Sequence, residues 1–510
     1  MLLTDHKGQI DAIACFFTHL LADRLEHPSS WKSSKIIVLF KSGETSEAKN
    51  YRPVTIIPVM AKLFSGVLYG RIQAMIDARL SQEQFGFRKG QGCSDAVHIV
   101  RTVIEKSAEW GEELWVAALD VEKVFDRLHH AVLFDALAAS GIDSSVAASL
   151  RRLYRGMKAS VKLDSGVDSR HFRIERGVRQ GDPLSPLLFN LIINRVLAEV
   201  SPTWRRRGYG TNVGRDVFGA RLTHVMFADD MTLIARSWTS MKRMLQTLRE
   251  ALARVGLRLH PGKCKVQNNL PTQVARRAAV DDDFVIELVP ADVGFKFLGT
   301  MLHLVDASKH EISNRIAAAW RMFWGMKKLL MNREISMTRR LRLFESTVTS
   351  CLLWCCESWT PRVLELRELV VARHRMLRRI AGQVRLPEEE YVAWIRRTTQ
   401  LARAKAETAG LRDWSHSHFQ KKLSWAGRIA RSDVNKWLFL VTTWHDSAWE
   451  QVVAELGPTR PRRPSTRRWM KFEDELRRYC AAHALGSWTR LALDRREWDR
   501  HRIPFCFFSQ

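Results

Sequence analysis

No stretch of this 510-residue chain is apolar for long enough to cross a bilayer. The longest run, around Leu184 to Ile193 in PLSPLLFNLII, falls well short of the ~20 residues a spanning helix needs. The opening MLLTDHKGQ puts Asp5 and His6 where a secretory signal would carry its apolar stretch, so the expected location is intracellular, nucleus or cytoplasm. Cysteine is sparse and unpatterned. The eight thiols (Cys15, Cys93, Cys264, Cys351, Cys355, Cys356, Cys480, Cys506) include no CxxC pair, which excludes a disulfide framework. Cys351, Cys355 and Cys356 could join His416 and His418 around zinc, but no finger spacing links them, and buried reduced thiols are the simpler expectation. Repeats and long low-complexity tracts are also missing. Acidic residues are in short supply: 54 Asp and Glu face 81 Lys and Arg, leaving a formal charge of +27. A field of that sign attracts polyanions, and phosphate backbones are the commonest partner for so basic a chain.

What is present is the composition of a packed protein, 46% apolar and 26% charged, in a chain long enough for two to four subdomains. KIIVLF reads as a strand, KSGETSEAKNYRP as a turn-rich segment and VMAKLFSGVLYGRI as a helix. QFGFRKGQGCS is basic and punctuated by glycine. ELWVAALDV is a buried-strand candidate ending in an acid, followed by a helical run with a glycine stop. YRGMKASVKLDSG and HFRIERGVRQG read as paired antiparallel strands, and DPLSPLLFNLIINRVLAEV opens a helix with proline near its start. THVMFADDMTLIA reads as a hairpin, and SMKRMLQTLREALARVG as an amphipathic helix stopped by Gly256. The mixture predicts an α+β fold on an antiparallel sheet. Past Leu302 the chain turns mostly helical, with Ile312, Ile316, Trp320 and Phe323 on one helix face, and GPTRPRRPST (Gly457 to Thr466) reads as a linker.

Asp120 would end a central strand, and Asp229 with Asp230 would sit in the tight turn of a hairpin. Metal-assisted phosphoryl transfer needs carboxylates from separate segments to converge on two cations. Aspartate is also an ordinary turn former, so ADD by itself decides little.

Taken in order, the segments resemble the motif series of reverse transcriptases, especially those of non-LTR, LINE-type retrotransposons. KIIVLFKSGETSEAKNYRPVTIIPVMAKLFSGVLYGRI and QFGFRKGQGCSDAV look like the finger region. ALDVEKVFDRLHH, RGVRQGDPLSPLLFNLIIN and MFADDMTLIA look like the three palm motifs, and GLRLHPGKCKV and FKFLGTML like the two that follow. Val124 departs from the alanine usual in that family's string. The resemblance implies a right-hand polymerase fold: fingers and palm over 31–302 after a helical lead-in at 1–30, and a helical thumb over 303–360. A basic, Trp-rich helical region over 361–456, a linker at 457–466 and a basic segment at 467–510 would follow.

It also implies that Asp120, Asp229 and Asp230 hold two Mg²⁺ ions, with Mn²⁺ a possible substitute and Asp230 the more structural of the hairpin pair. Lys41 and Arg52 would clamp the triphosphate, Phe125 would exclude a 2′-hydroxyl, and Gln180 and Gly181 would support the nucleotide. Lys263 would be a general acid, and Phe297, Leu298 and Gly299 would form the primer grip. The implied partners are an RNA template, a DNA primer and deoxynucleoside triphosphates, with no membrane. His129 and His130 read as structural residues at a helix start. Thirteen of the 18 tryptophans lie beyond Leu302 among dense arginine, a pattern suited to duplex backbones and unpaired bases. No endonuclease constellation is recognisable, so target cleavage is not expected of this chain. Two other readings stand beside the polymerase: a silent nucleic-acid-binding remnant of a retroelement, and a group II intron maturase-like protein.

Overall fold

The computed structural model describes residues 6–122, 124–163, 167–213, 220–270, 276–291, 293–304, 307–444 and 472–508. The expected linker at 457–466 and the start of the basic segment after it lie outside those residues.

Fourteen strands are described: β1 (Ser33–Phe40), β2 (Tyr51–Ile56), β3 (Trp115–Leu119), β4 (Lys158–Val161), β5 (Phe172–Arg173), β6 (Thr211–Val213), β7 (Ala220–Leu222), β8 (His224–Phe227), β9 (Asp230–Ala235), β10 (Lys265–Asn268), β11 (Arg277–Asp281), β12 (Phe284–Val289), β13 (Phe295–Phe297) and β14 (Thr300–Leu302). Among the described residues they form a four-stranded sheet in the order β2-β1-β4-β5, a six-stranded sheet in the order β11-β12-β10-β3-β9-β8, and the hairpins β6-β7 and β13-β14. The larger sheet is antiparallel except where β10 runs parallel to β12. The sequence reading runs NYRP into a turn, whereas Tyr51 already begins β2. Pro53 is tolerated there because β2 is an edge strand.

Strand alternation divides the interior in two. From β3, Val116 joins a core with the helix Cys93–Trp110 and the C-terminal helices, while Trp115, Ala117 and Leu119 join another with the helices Ser144–Tyr154, Ser185–Arg206 and Trp238–Arg254. Local signals set the helix ends. Ser237 Oγ accepts from the Ser240 amide at 3.2 Å at the start of Trp238–Arg254, and Gly256 follows its end at φ 80°. Ile312 and Phe323 are buried on the helix Ala307–Gly325, with Ile316 and Trp320 half-buried beside them.

The tryptophan-rich half requires a correction. Trp359, Trp414, Trp425, Trp437, Trp444, Trp488 and Trp498 are buried in the core that reaches the sheet, leaving Trp324 and Trp354 as exposed rings among the described residues. Large rings bury so much area that packing outweighs any stacking role for them. Trp498 illustrates the point: its indole N–H donates to the Leu423 carbonyl at 2.8 Å and its ring covers Gly427, where a Cβ would lie 2.6 Å from it. Trp498→Ala is expected to cost about 3–5 kcal/mol of stability; denaturant unfolding checks this, and a loss below ~1 kcal/mol would show the site to be plastic.

The interface between the helix Cys93–Trp110 and the C-terminal helices is polar. Across it His98 bonds Thr442 at 2.8 Å, Arg101 donates to Ser358 Oγ at 3.1 Å, and Asp95 pairs with Arg428. Beside it, within the C-terminal helices, Lys422 pairs with Glu475 while donating to the Trp359 carbonyl at 3.1 Å. Burial pushes Glu105 up to about 7, with Arg101, Lys422 and Lys106 pulling it down and Asp474 adding to the rise. A proton held more tightly in the folded state favours folding at low pH, and that contribution is lost as pH climbs from about 4.5 through 7. Glu105→Gln is therefore expected to flatten the fall in stability between about pH 5 and 8. Equal slopes for variant and parent would contradict this. No described helix is long and apolar enough to cross a membrane.

Candidate active site

Asp120 follows directly on β3, and Asp230 opens β9. Their strands pair Leu119 with Met231, so the next positions, Asp120 and Asp230, stand opposite each other. Both continue the parity of Val116 and Ile234, on one face of the sheet. Asp229 occupies the two-residue turn between β8 and β9, after Ala228, whose φ is 58°. Asp229 and Asp230 are exposed and Asp120 is half-exposed.

Although they reach solvent, the carboxylates stand in each other's field. Loss of hydration, then repulsion by Asp120, raises Asp229 above the ordinary aspartate range, while Arg52 and Lys41 partly offset it. Loss of hydration and repulsion by Asp229 and Asp120 push Asp230 up to about 6. Among the described residues no three His, Cys, Asp or Glu side chains already stand at ligating separations. Asp120 is instead drawn toward Lys263, whose Nζ is 3.5 Å from its Oδ2. The set is all oxygen, open to solvent and self-repelling. It therefore fits hard divalent cations better than zinc or copper. The candidate zinc set is not gathered either: His418 Nδ1 bonds the Cys356 carbonyl at 2.9 Å inside the core.

Sequence reasoning missed the clamp on the acidic turn. Glu83 to Phe85 lie along β8, the Phe85 amide donating to the Met226 carbonyl and the Met226 amide to the Glu83 carbonyl, both at 2.8 Å. Gln84 Oε1 accepts from the Gly86 amide at 2.9 Å and the Ala228 amide at 3.1 Å, so one buried amide side chain ties the turn to the QFGF segment. Gly86 packs backbone to backbone against the turn: a Cβ there would lie 2.2 Å from the Ala228 nitrogen. Asn190 Nδ2, from the helix after DPLSP, donates to the Gly86 carbonyl at 2.8 Å. The available signal was glycine inside an otherwise strand-like run.

Lys41 and Arg52 lie at the exposed end of the β1-β2 hairpin, near enough for their charge to reach Asp229. The Gln180 carbonyl accepts from the Thr55 amide at 2.8 Å, and its side chain donates to Asp126 at 3.3 Å. Gly181, at φ 115°, leaves only 2.8 Å between a would-be Cβ and the Thr55 carbonyl, so its absent side chain lets the loop close on β2. Phe125 is half-buried with its ring 5.5 Å from Phe189, and its carbonyl accepts from the Val178 amide at 2.6 Å. The Val124 side chain lies outside the described set.

His130 bonds the Gly177 carbonyl at 2.9 Å and His129 covers Gly256, both in keeping with structural parts. Phe297 is buried at the end of β13. Leu298 and Gly299 form the turn, with φ of 48° and 77°, held by Trp354 Nε1 donating to the Leu298 carbonyl at 2.9 Å and by Arg315 donating to the Gly299 carbonyl.

Residues 40–302 match the family described as reverse transcriptase (RNA-dependent DNA polymerase), just over half of the chain. The chain belongs to the reverse transcriptase family. Its fold is accordingly α+β of the right-hand polymerase type, with fingers, palm and helical thumb, plus a mostly helical C-terminal region. A retrovirus-related Pol polyprotein from a type-2 retrotransposable element of Drosophila melanogaster is 31% identical over 46% of this chain and 21% of that protein. A putative uncharacterized transposon-derived protein of Caenorhabditis elegans is 30% identical over 55% of this chain and 95% of its own length. An RNA-directed DNA polymerase from mobile element jockey of Drosophila funebris is 22% identical over 70% and 38%. These relatives place the chain with the reverse transcriptases of non-LTR retrotransposons, although it spans only a fifth to two fifths of the Drosophila proteins. A solved apo telomerase of Candida tropicalis aligns over 86% of this chain and 74% of its own at 12% identity and a TM-score of 0.43, too loose a likeness to carry an argument. Membership in the reverse transcriptase family implies dependence on a divalent metal.

Proposed function

We propose that this chain is an RNA-directed DNA polymerase that adds deoxynucleotides to a primer 3′-hydroxyl on an RNA template, inside the cell. The observation that carries this reading is the convergence of Asp120, Asp229 and Asp230 at one exposed end of the six-stranded sheet. Asp120, Asp229 and Asp230 would hold two Mg²⁺, or Mn²⁺ in their place, with Asp230 the more structural of the hairpin pair. When bound, the two ions lower the pKa of the 3′-hydroxyl and neutralise charge on the triphosphate and the leaving pyrophosphate.

The chain's own groups do the rest. Lys41 and Arg52 hold the triphosphate at the hairpin that faces Asp229. Phe125, held by its carbonyl bond to Val178, bars a 2′-hydroxyl. Gln180 and Gly181 support the nucleotide against β2. Lys263, whose Nζ lies 3.5 Å from Asp120 Oδ2, would deliver a proton to the leaving pyrophosphate. Phe297, Leu298 and Gly299 position the primer end. In this scheme 31–302 are fingers and palm, 303–360 the thumb, and 361–444 a helical layer beyond them.

The test is incorporation of labelled deoxynucleotides by the purified, folded chain on an annealed RNA template and DNA primer with Mg²⁺. Extension that follows the template sequence is expected. A folded chain that extends none of several primers with either Mg²⁺ or Mn²⁺ would overturn the reading.

A further inference from the structure

The segment that clamps the acidic turn is itself held from the far half of the chain. After Gly86 it runs through Arg88, which ties it back to Asp77 Oδ1 and to the Ser81 carbonyl, both at 2.7 Å. At Gly92 it enters the helix Cys93–Trp110, where Asp95 caps the helix by accepting from the Gly92 amide at 2.9 Å. Asp95 is buried, and its second partner set comes from the helix Trp414–Ala430. Trp425 Nε1 donates to Asp95 Oδ1 at 3.1 Å. The Arg428 guanidinium spans both carboxylate oxygens and also donates to the Gly90 carbonyl at 3.0 Å. More than 330 residues separate the partners in sequence. A forked guanidinium on a carboxylate fixes orientation as well as distance, so this contact sets where Gly90 to Asp95 lie.

We propose that Arg428 is a positioning residue for the acidic turn: it fixes Gly90–Asp95, and that segment, through Gln84 and Gly86, fixes Ala228–Asp230. The C-terminal helical layer is then a working part of the polymerase rather than a separable nucleic-acid module. Arg428 touches none of the three carboxylates and acts through the backbone between them. Its side chain is 45% exposed, so its removal leaves Asp95 with the Gly92 amide and Trp425 and does not empty the core. The effect on reaction rests on the polymerase reading, whereas the effect on the turn does not.

The test uses the full chain and compares the parent with Arg428→Ala, Arg428→Lys and Trp425→Phe. Hydrogen–deuterium exchange is followed over 224–231, with 277–289 as an internal reference, and primer extension is titrated with Mg²⁺. Arg428→Ala is expected to stay folded, to exchange about tenfold faster over 224–231 with the reference unchanged, and to need severalfold more Mg²⁺ for half-maximal rate at an unaltered primer KM. Arg428→Lys should recover only part, because one ammonium cannot span Asp95 and Gly90 together. Should Arg428→Ala fail to fold, Arg428→Lys, which keeps the charge and loses the fork, carries the same comparison with a smaller shift, and Trp425→Phe, which removes the donor to Asp95 together with part of a buried ring, is read beside it.

Unchanged exchange at 224–231 in a folded variant overturns the proposal whatever the activity. Faster exchange with an unaltered Mg²⁺ requirement overturns it too, since the contact would then be merely structural. A parent that incorporates nothing defeats the polymerase reading separately, and the exchange measurement still decides this one.

Discussion

Asp229→Ala is expected to lower templated incorporation about a thousandfold or more, the loss of ~4 kcal/mol of transition-state stabilisation that a missing ligand in a two-ion site represents. Stability should move little, and in the opposite direction. Asp229 is exposed, lies in a turn rather than a core, and carries a carboxyl raised by lost hydration and by Asp120, so removing it relieves repulsion. The paired measurement is single-turnover incorporation and thermal unfolding on the same preparation. Lost activity with an equal or higher Tm supports a functional carboxylate. Activity within tenfold of the parent would mean that Asp229 is a turn former only, and the proposed chemistry would lose its centre.

The second large effect comes from a residue with no side chain at all. Gly86→Ala places a methyl group 2.2 Å from the Ala228 nitrogen and 2.9 Å from the Phe227 carbonyl carbon. These are backbone atoms, so neither can swing aside as the end of a lysine would. The turn must shift by roughly an ångström, and displacement on that scale costs a catalytic site about a hundredfold in rate. The strain should also cost about 1–3 kcal/mol of stability. Primer extension and denaturant unfolding measure both, and extension at the parental rate would show that the turn does not depend on its contact with the QFGF segment.

Much of the palm was legible in the sequence because its signals are local. The run LWVAAL carries no polar residue before Asp120, and in THVMFADDMTLIA two apolar runs flank a short acidic turn. Strand period and turn chemistry therefore placed Asp120, Asp229 and Asp230 at element ends. The ordered motifs supplied the pairing that periodicity cannot. β2 was hidden because Pro53 and the charged turn before it obscure an edge strand, and β11 and β12 because their exposed residues interrupt an apolar pattern.

The clamp at Gln84 and Gly86 and the Arg428–Asp95 contact were not legible for a different reason. Both join segments far apart in the chain, and an amide or guanidinium in a polar run looks like surface until its partner is known. The tryptophans of the C-terminal half are ambiguous for the same reason: arginine and tryptophan interleaved on helices describe a nucleic-acid face and a set of core rings beside solvated arginines equally well, and seven of the described rings prove to be core, Trp425 among them donating to Asp95 of the helix Cys93–Trp110.

The account stands most directly on cation binding by three carboxylates brought together from two strands. Mn²⁺ titration followed by electron paramagnetic resonance, with primer–template and a non-hydrolysable deoxynucleotide analogue present, reads that binding without requiring turnover. Two tightly held ions per chain in the parent, and their loss in an Asp120→Asn, Asp229→Asn double variant that remains folded, is the predicted result. Equal Mn²⁺ binding by parent and double variant would contradict it.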